Sequence, residues 1–166
     1  PAGVETTTRS ISGGMLAFID HPQQWHLACS RSEFSKSMVE EIVRWTTPSC
    51  YKRRTASCDL NLGGKAIQAG QKVTFWEMSA NRDESYFSDP ERFDITRDTG
   101  AALTFGAGPH FCAGAAASRS LVGDVAIPKI FERLTDLRLD HEASPVQFGG
   151  WAFRGPLSVP VSWGEI

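Results

Sequence analysis

The sequence predicts a mainly α-helical protein with small antiparallel β-sheets. Three stretches carry that expectation. Met38-Val39-Glu40-Glu41-Ile42-Val43-Arg44-Trp45 places Met38, Val39, Ile42 and Val43 on one stripe at spacings of three and four, the period of a helix. Ala115-Ala116-Ala117-Ser118-Arg119 is built of strong helix formers and follows directly on a glycine-rich loop. Between them, the residues from Tyr51 to Trp76 break into short β-prone runs separated by Gly63-Gly64 and Ala69-Gly70.

Taken in order, the chain opens on Ala2 to Ile19, with helical spacing from Ile11 onward. Thr6, Thr7 and Thr8 are β-branched and poor helix formers. Either a threonine caps a helix start, or the hydroxyls bond back to carbonyls one turn earlier and distort a longer helix. Asp20-His21-Pro22 stops this segment, and Pro22 opens a second helix at a first-turn position. Gln23 to Cys29 is short and amphipathic, and Arg31 to Ser35 is a polar loop. In the Met38–Trp45 helix, Glu41 and Arg44 are three apart and can touch, which on a solvated face is worth about 0.2–0.5 kcal/mol. Pro48 ends that helix.

Tyr51 to Ala56 and Asp59 to Val73 predict short strands of one small antiparallel sheet, with Lys72–Trp76 as its best strand. Arg53 and Arg54 put charge on the first strand, as edges protected from aggregation do. Ser79 to Asp83 is a short helical turn, Phe87 to Asp94 is irregular and aromatic-rich, and Arg97 to Thr104 is a loop. After Cys112 a helix is expected to about Leu134. Gly123 and Pro128 oppose it, by about 1 and about 3 kcal/mol in a helix interior, so it should be kinked, bulged or broken. Pro160 to Trp163 closes the chain as a strand. With no repeat, low-complexity tract or linker, residues 1–166 are expected to belong to one domain.

The chemistry concentrates in Phe105-Gly106-Ala107-Gly108-Pro109-His110-Phe111-Cys112-Ala113-Gly114. Its cysteine sits where loop becomes helix. Unpaired N–H groups and the positive end of the helix dipole favour a thiolate at such a junction. A thiolate is a nucleophile or a soft metal ligand, and the glycines clear space for a flat or bulky group. The plainer alternative is a structural cysteine beside a glycine-rich turn. A phosphatase loop of the form Cys-x5-Arg is excluded, because the sixth residue after Cys112 is Ser118. A dinucleotide-binding loop stays open, but no clear buried strand precedes it and the cysteine would be unexplained.

Bulk properties narrow the classes further. The formal charge of −2 suggests no nucleic-acid surface. Cys29, Cys50, Cys58 and Cys112 show no Cys-x-x-Cys pair and no zinc spacing, which suits a reducing compartment. No apolar stretch is long enough for a membrane span.

Phe105-x-x-Gly108-x-x-x-Cys112-x-Gly114 resembles the haem-ligand loop of the cytochrome P450 monooxygenases, with each fixed position filled. Three more motifs of that family stand in the same order: Ala2-Gly3-Val4-Glu5-Thr6, Glu41-x-x-Arg44, and Arg92 within Pro90-Glu91-Arg92-Phe93. The resemblance covers essentially the whole chain and is nearest to soluble bacterial members acting on steroids and lipids. It implies the C-terminal, haem-binding part of that fold, in a chain far shorter than a complete member and expected to be inactive alone. It implies haem b, with Cys112 as axial iron ligand and His110, Arg54, Phe105, Gly106 and Gly114 around the cofactor, Arg54 as the partner of a propionate. Glu5 and Thr6 would manage protons on the opposite face. Glu41, Arg44 and Arg92 would form a buried network. Trp151-Ala152-Phe153 resembles a segment that can touch substrate. The implied reaction inserts one oxygen atom of O2 into a small hydrophobic, steroid or lipid, substrate, with electrons from a ferredoxin or flavin-type donor, in the cytoplasm. Two other readings differ in class: a truncated or decayed product that catalyses nothing, and a redox enzyme using Cys112 as a reactive thiol.

Overall fold

A computed structural model describes residues 2–164. Helix α1 (Ala2–Asp20) is followed by α2 (Pro22–Ser30), a 3-10 turn (Ser32–Phe34) and α3 (Ser35–Thr46). Strands β1 (Tyr51–Thr55), β2 (Leu60–Leu62), β3 (Lys65–Ile67) and β4 (Lys72–Trp76) lead into a short α4 (Glu77–Ala80). A long irregular segment then reaches α5 (Ala115–Arg119), a π-helical stretch (Ser120–Ala126) and α6 (Ile127–Arg133). Four short strands follow: β5 (Arg138–Leu139), β6 (Gln147–Gly149), β7 (Gly155–Ser158) and β8 (Val161–Ser162).

Helix α1 runs straight through the threonine tract. Thr6 and Thr8 donate their hydroxyls to the carbonyls of Ala2 and Val4, four residues back, which is the helix-interior alternative rather than a cap. Further along, Gly13 and Gly14 let α3 approach closely. A Cβ on Gly13 would stand 2.6 Å from Cγ2 of Thr46, and one on Gly14 2.8 Å from Cγ2 of Ile42. The core forms at this crossing from Phe18, Met38, Val39, Ile42, Phe93, Ile95, Val122 and Ile127. Burying each large side chain contributes about 1.5–3 kcal/mol. Phe18 meets Phe93 edge-on at 5.2 Å, and Trp25 stacks on Phe131 at 4.4 Å.

Helix α3 ends on Thr47, whose φ of 32° is left-handed. Pro48 disfavours helical geometry in the residue before it, and the N–H of Thr47 closes back on the carbonyl of Val43 at 3.0 Å. The expected single sheet is instead two ladders. β1 pairs with β4 from Tyr51↔Trp76 to Thr55↔Lys72, while β2 and β3 form their own hairpin. Two positive-φ residues at its tip, Gly63 and Gly64, match the twist of such a turn. β5 pairs with β8, and β6 with β7.

The helix after the cysteine loop is bulged rather than broken. Its π stretch takes an extra residue into the turn, and Pro128, which has no N–H to give, follows as the second residue of α6. Gly123, inside that stretch, lies against Val39 of α3, where a Cβ would stand 2.7 Å from the valine Cβ. Among the described residues no helix is long and apolar enough to cross a membrane.

Candidate cofactor site

The cysteine loop is shaped by its own backbone. Gly106 and Gly108 hold φ of +72° and +69°, which other residues adopt only with strain. Between them and the helix, Gly108–His110 make a 3-10 turn. The N–H of Cys112 donates to the carbonyl of Phe105 at 2.9 Å and closes the loop. The carbonyl of Cys112 accepts from the N–H of Ala115, the first residue of α5, at 3.2 Å. Cys112 is a free, exposed thiol, flanked by exposed His110 and Phe111. A Cβ on Gly114 would stand 3.9 Å from the sulfur, an ordinary van der Waals contact.

Three side chains brace this loop. The Arg119 guanidinium lies 4.4 Å over the Phe105 ring and bonds Glu40 of α3. Thr104 donates its hydroxyl to the carbonyl of Val43 at 3.0 Å. Asn81 is fully buried and links three segments. Its Nδ2 donates to the hydroxyls of Thr47 and Thr104, both at 2.9 Å, and its Oδ1 accepts from the N–H of Leu103 at 2.7 Å. Neither Arg119 nor Asn81 is singled out by sequence reasoning. Their only signals are an arginine one helical turn into α5 and an asparagine in the Ser79–Asp83 turn.

Beneath the loop, Glu41 and Arg44 are both completely buried. Arg44 grips the carboxylate at two points, Nε to Oε2 at 2.7 Å and Nη2 to Oε1 at 2.8 Å. Its Nη1 donates to the carbonyls of Asn81 and Pro90, at 2.8 and 3.1 Å. The Glu41 carboxylate also accepts the N–H of Asp94 at 2.9 Å and lies 3.4 Å from Nε of Arg97. Arg92, the expected third member, is not in this network. Its side chain is 64% exposed and points outward, 3.5 Å from Asp94. Only its carbonyl turns inward, where it accepts from Nη2 of Arg97 at 3.0 Å. The third arginine is therefore Arg97, at 8% exposure. Asp94 is held below the usual carboxylate range: burial pushes it up, but hydrogen bonds from the Thr96 hydroxyl and N–H outweigh that, with help from Arg92 and Arg97.

At the start of α1, Glu5 and Thr6 are half-buried, Thr7 is buried and Thr8 is exposed. Glu5 is bonded by Arg9, one turn along the helix. Arg54, on β1, is exposed, and its Nη1 donates to the carbonyl of its neighbour Arg53 at 2.8 Å. The segment Trp151–Phe153 forms the tip of the β6–β7 hairpin and clips onto the chain before β1. The N–H of Cys50 donates to the carbonyl of Ala152, and the N–H of Arg154 to that of Pro48, each at 2.9 Å. Trp151 itself is 71% exposed and meets Trp76 edge-on at 5.9 Å. Among the described residues no group of three or more His, Cys, Asp or Glu could hold a metal ion.

A helical core of this kind, with small antiparallel sheets and a cysteine on a glycine loop, defines a class, and comparison with known proteins identifies it. The family profile described as Cytochrome P450 matches residues 29–122. The chain is 44% identical over 137 residues to a steroid C26-monooxygenase of Rhodococcus jostii, covering 82% of this chain and 28% of that protein. It is 39% identical over 164 residues to a methyl-branched lipid omega-hydroxylase of Mycobacterium tuberculosis, covering 98% of this chain and 38% of the relative. The crystal structure of P450BioI in complex with a fatty-acid-ligated acyl carrier protein superposes with a TM-score of 0.89 at 34% identity, covering 98% of this chain and 42% of that one. The chain belongs to the cytochrome P450 family, and its mainly helical architecture with small antiparallel sheets is that of a part of the P450 fold. It spans about two fifths or less of the length of these relatives.

Proposed function

We propose that this chain carries the haem-thiolate centre of a bacterial monooxygenase that inserts one atom of O2 into a small hydrophobic substrate, of steroid or lipid class. The observation that carries the reading is the cysteine loop: an exposed thiol at the entrance to α5, cleared by glycines at 106, 108 and 114. These residues fit a flat macrocycle bound through sulfur. Cys112 would ligate the iron, and Phe105, Gly106 and Gly114 would line the face around the sulfur. His110 and Arg54 would reach the propionates, whose charge needs a partner when partly buried. Haem b, when bound, would supply oxygen activation, favoured by electron donation from the Cys112 thiolate.

The chain's own contribution is to hold the sulfur and to deliver protons. Asn81, Thr104 and Arg119 tie the loop to α3, so the thiol is presented on a rigid support. On α1, the carboxyl of Glu5 would take up a proton from solvent and pass it on through the hydroxyl of Thr6. The overall reaction would consume O2, two protons and two electrons from a ferredoxin or flavin-type partner, and give the hydroxylated substrate and water. The relatives' activities, a steroid C26-monooxygenase and a methyl-branched lipid omega-hydroxylase, support the substrate class. We assign residues 1–166 to the C-terminal, haem-binding portion of a single cytochrome P450 domain, in a cytoplasmic protein. Activity is proposed for the protein that contains this chain, since the relatives are much longer.

The test is a carbon-monoxide difference spectrum of the haem-loaded protein containing this chain. The thiolate-type band should be present in wild type and lost in Cys112→Ser. Its survival in the variant would remove Cys112 from the iron.

A further inference from the structure

Arg9 reaches in two directions from the middle of α1. Its Nε donates to Oε1 of Glu5 at 3.0 Å, and its Nη2 bonds the same oxygen. Its Nη1 donates to the carbonyl of Gly149 on β6 at 3.3 Å. The stem of the side chain is clasped by the opposite strand: a Cβ on Gly155 of β7 would stand 2.8 Å from the Arg9 Cβ. The arginine side chain is 16% exposed, against 46% for Glu5.

An ion pair between helix neighbours in water is weak, because two long side chains must be held in one geometry. Here the geometry is held by something else. The hairpin backbone fixes the guanidinium at its third nitrogen and confines its stem, so little further freedom is lost when the fork takes the carboxylate. The hairpin is itself anchored, since its tip bonds Pro48 and Cys50 at the entrance to β1.

We propose that Arg9 is a positioning residue that fixes the Glu5 carboxylate and couples it to the β6–β7 hairpin. The functional side of this inference rests on the reading of Glu5 as the proton carrier. A ligand that displaces the exposed hairpin tip would displace the acid with it. The coupling runs through two guanidinium donors on one carboxylate oxygen and a glycine contact, so it is specific to arginine at position 9 and to glycine at position 155.

Two measurements on the haem-loaded protein containing this chain test it. In amide hydrogen exchange, Arg9→Gln and Gly155→Ala should each speed exchange across Gly149–Ser158 roughly tenfold, the effect of losing a charge-assisted anchor. Arg9→Lys, which keeps the charge but not the fork, should recover part of the protection, and Glu5→Gln should leave it at the wild-type level. In turnover, Arg9→Gln and Gly155→Ala should raise the share of electrons ending as hydrogen peroxide, and adding Glu5→Gln should raise it no further. Wild-type exchange in Arg9→Gln, or a simple sum of the two variants' peroxide shares, overturns the proposal. If Glu5→Gln leaves the peroxide share unchanged while exchange responds as described, the proton-carrying role of Glu5 fails and the coupling by Arg9 stands.

Discussion

Arg97 stands with its Nε 3.4 Å from the carboxylate of Glu41, a residue fifty-six positions earlier in the chain. Its remaining nitrogens bond the carbonyls of Ser88, Asp89 and Arg92. One guanidinium therefore staples the irregular segment before the cysteine loop onto α3, and a second, that of Arg44, grips both oxygens of the same carboxylate.

Removing one side of a buried ion pair strands the other charge. Glu41→Ala and Arg44→Ala should each destabilise the protein by about 3–5 kcal/mol. Arg92→Ala should stay within about 1 kcal/mol, because its side chain is a surface partner of Asp94. Arg97→Ala should fall between the two. Urea denaturation of the four variants gives this order, and equal losses for Arg92 and Arg97 would contradict the assignment of the third arginine.

Gly123 offers a test in which two effects oppose each other. Alanine favours a helix over glycine by about 1 kcal/mol. At this position, however, its methyl would meet Cβ of Val39 at 2.7 Å, and overpacking of that kind costs about 1–3 kcal/mol. Gly123→Ala should therefore lower the urea midpoint. In the double variant with Val39→Gly, which removes that Cβ, the loss at position 123 should shrink.

Glu77 should make stability depend on pH. Burial pushes its carboxyl above the usual range, offset in part by the hydrogen bond and charge of Lys52 and by the charge of Arg54. The native state thus keeps this proton to higher pH than the unfolded chain does. Its contribution to stability falls as pH rises from the ordinary carboxylate value through the raised native one, and is constant above it. Glu77→Gln should accordingly gain on wild type as pH is raised from the ordinary carboxylate value through the raised native one. Unfolding curves at several pH values measure this, and a gain that shrinks with rising pH would contradict the direction.

The three threonines of α1 should separate by function and stability. Thr6→Ala in the haem-loaded protein should leave cofactor binding near wild type and send electrons to hydrogen peroxide instead of product. Proton delivery of this kind is typically worth about 10²–10⁴ in rate. Thr7 is the buried one, so Thr7→Ala should lower stability with little effect on that partition. Thr8→Ala, at an exposed position, should change neither. Peroxide yield against substrate consumption distinguishes the three, and full coupling in Thr6→Ala would move the proton relay elsewhere.

Much of this architecture was legible before the chain was folded, because it rests on short-range physics. The stripe of Met38, Val39, Ile42 and Val43 specifies a helix and the face it buries. The glycines around Cys112 specify a backbone that only they can adopt without strain. Gly123 and Pro128 announced a disturbed helix, since one weakens and the other forbids a regular turn. The spacing of Glu41 and Arg44 placed them on one face, although spacing does not say whether that face meets water or core.

Other features were decided only by the tertiary structure. Pro-Glu-Arg-Phe pointed to Arg92 because that arginine lies inside the motif. In space, the turn around Asp89 swings its side chain outward and brings Arg97 in behind it. Asn81 looks like an ordinary turn residue until Thr47, Leu103 and Thr104 converge on it. The division of the β region into two ladders, and the grip of the β6–β7 hairpin on Arg9, likewise depend on segments distant in sequence. The physical reason is common to all of these. A residue's type and near neighbours set its backbone preference, but the direction of a side chain and the partner it meets depend on which distant segment is packed against it.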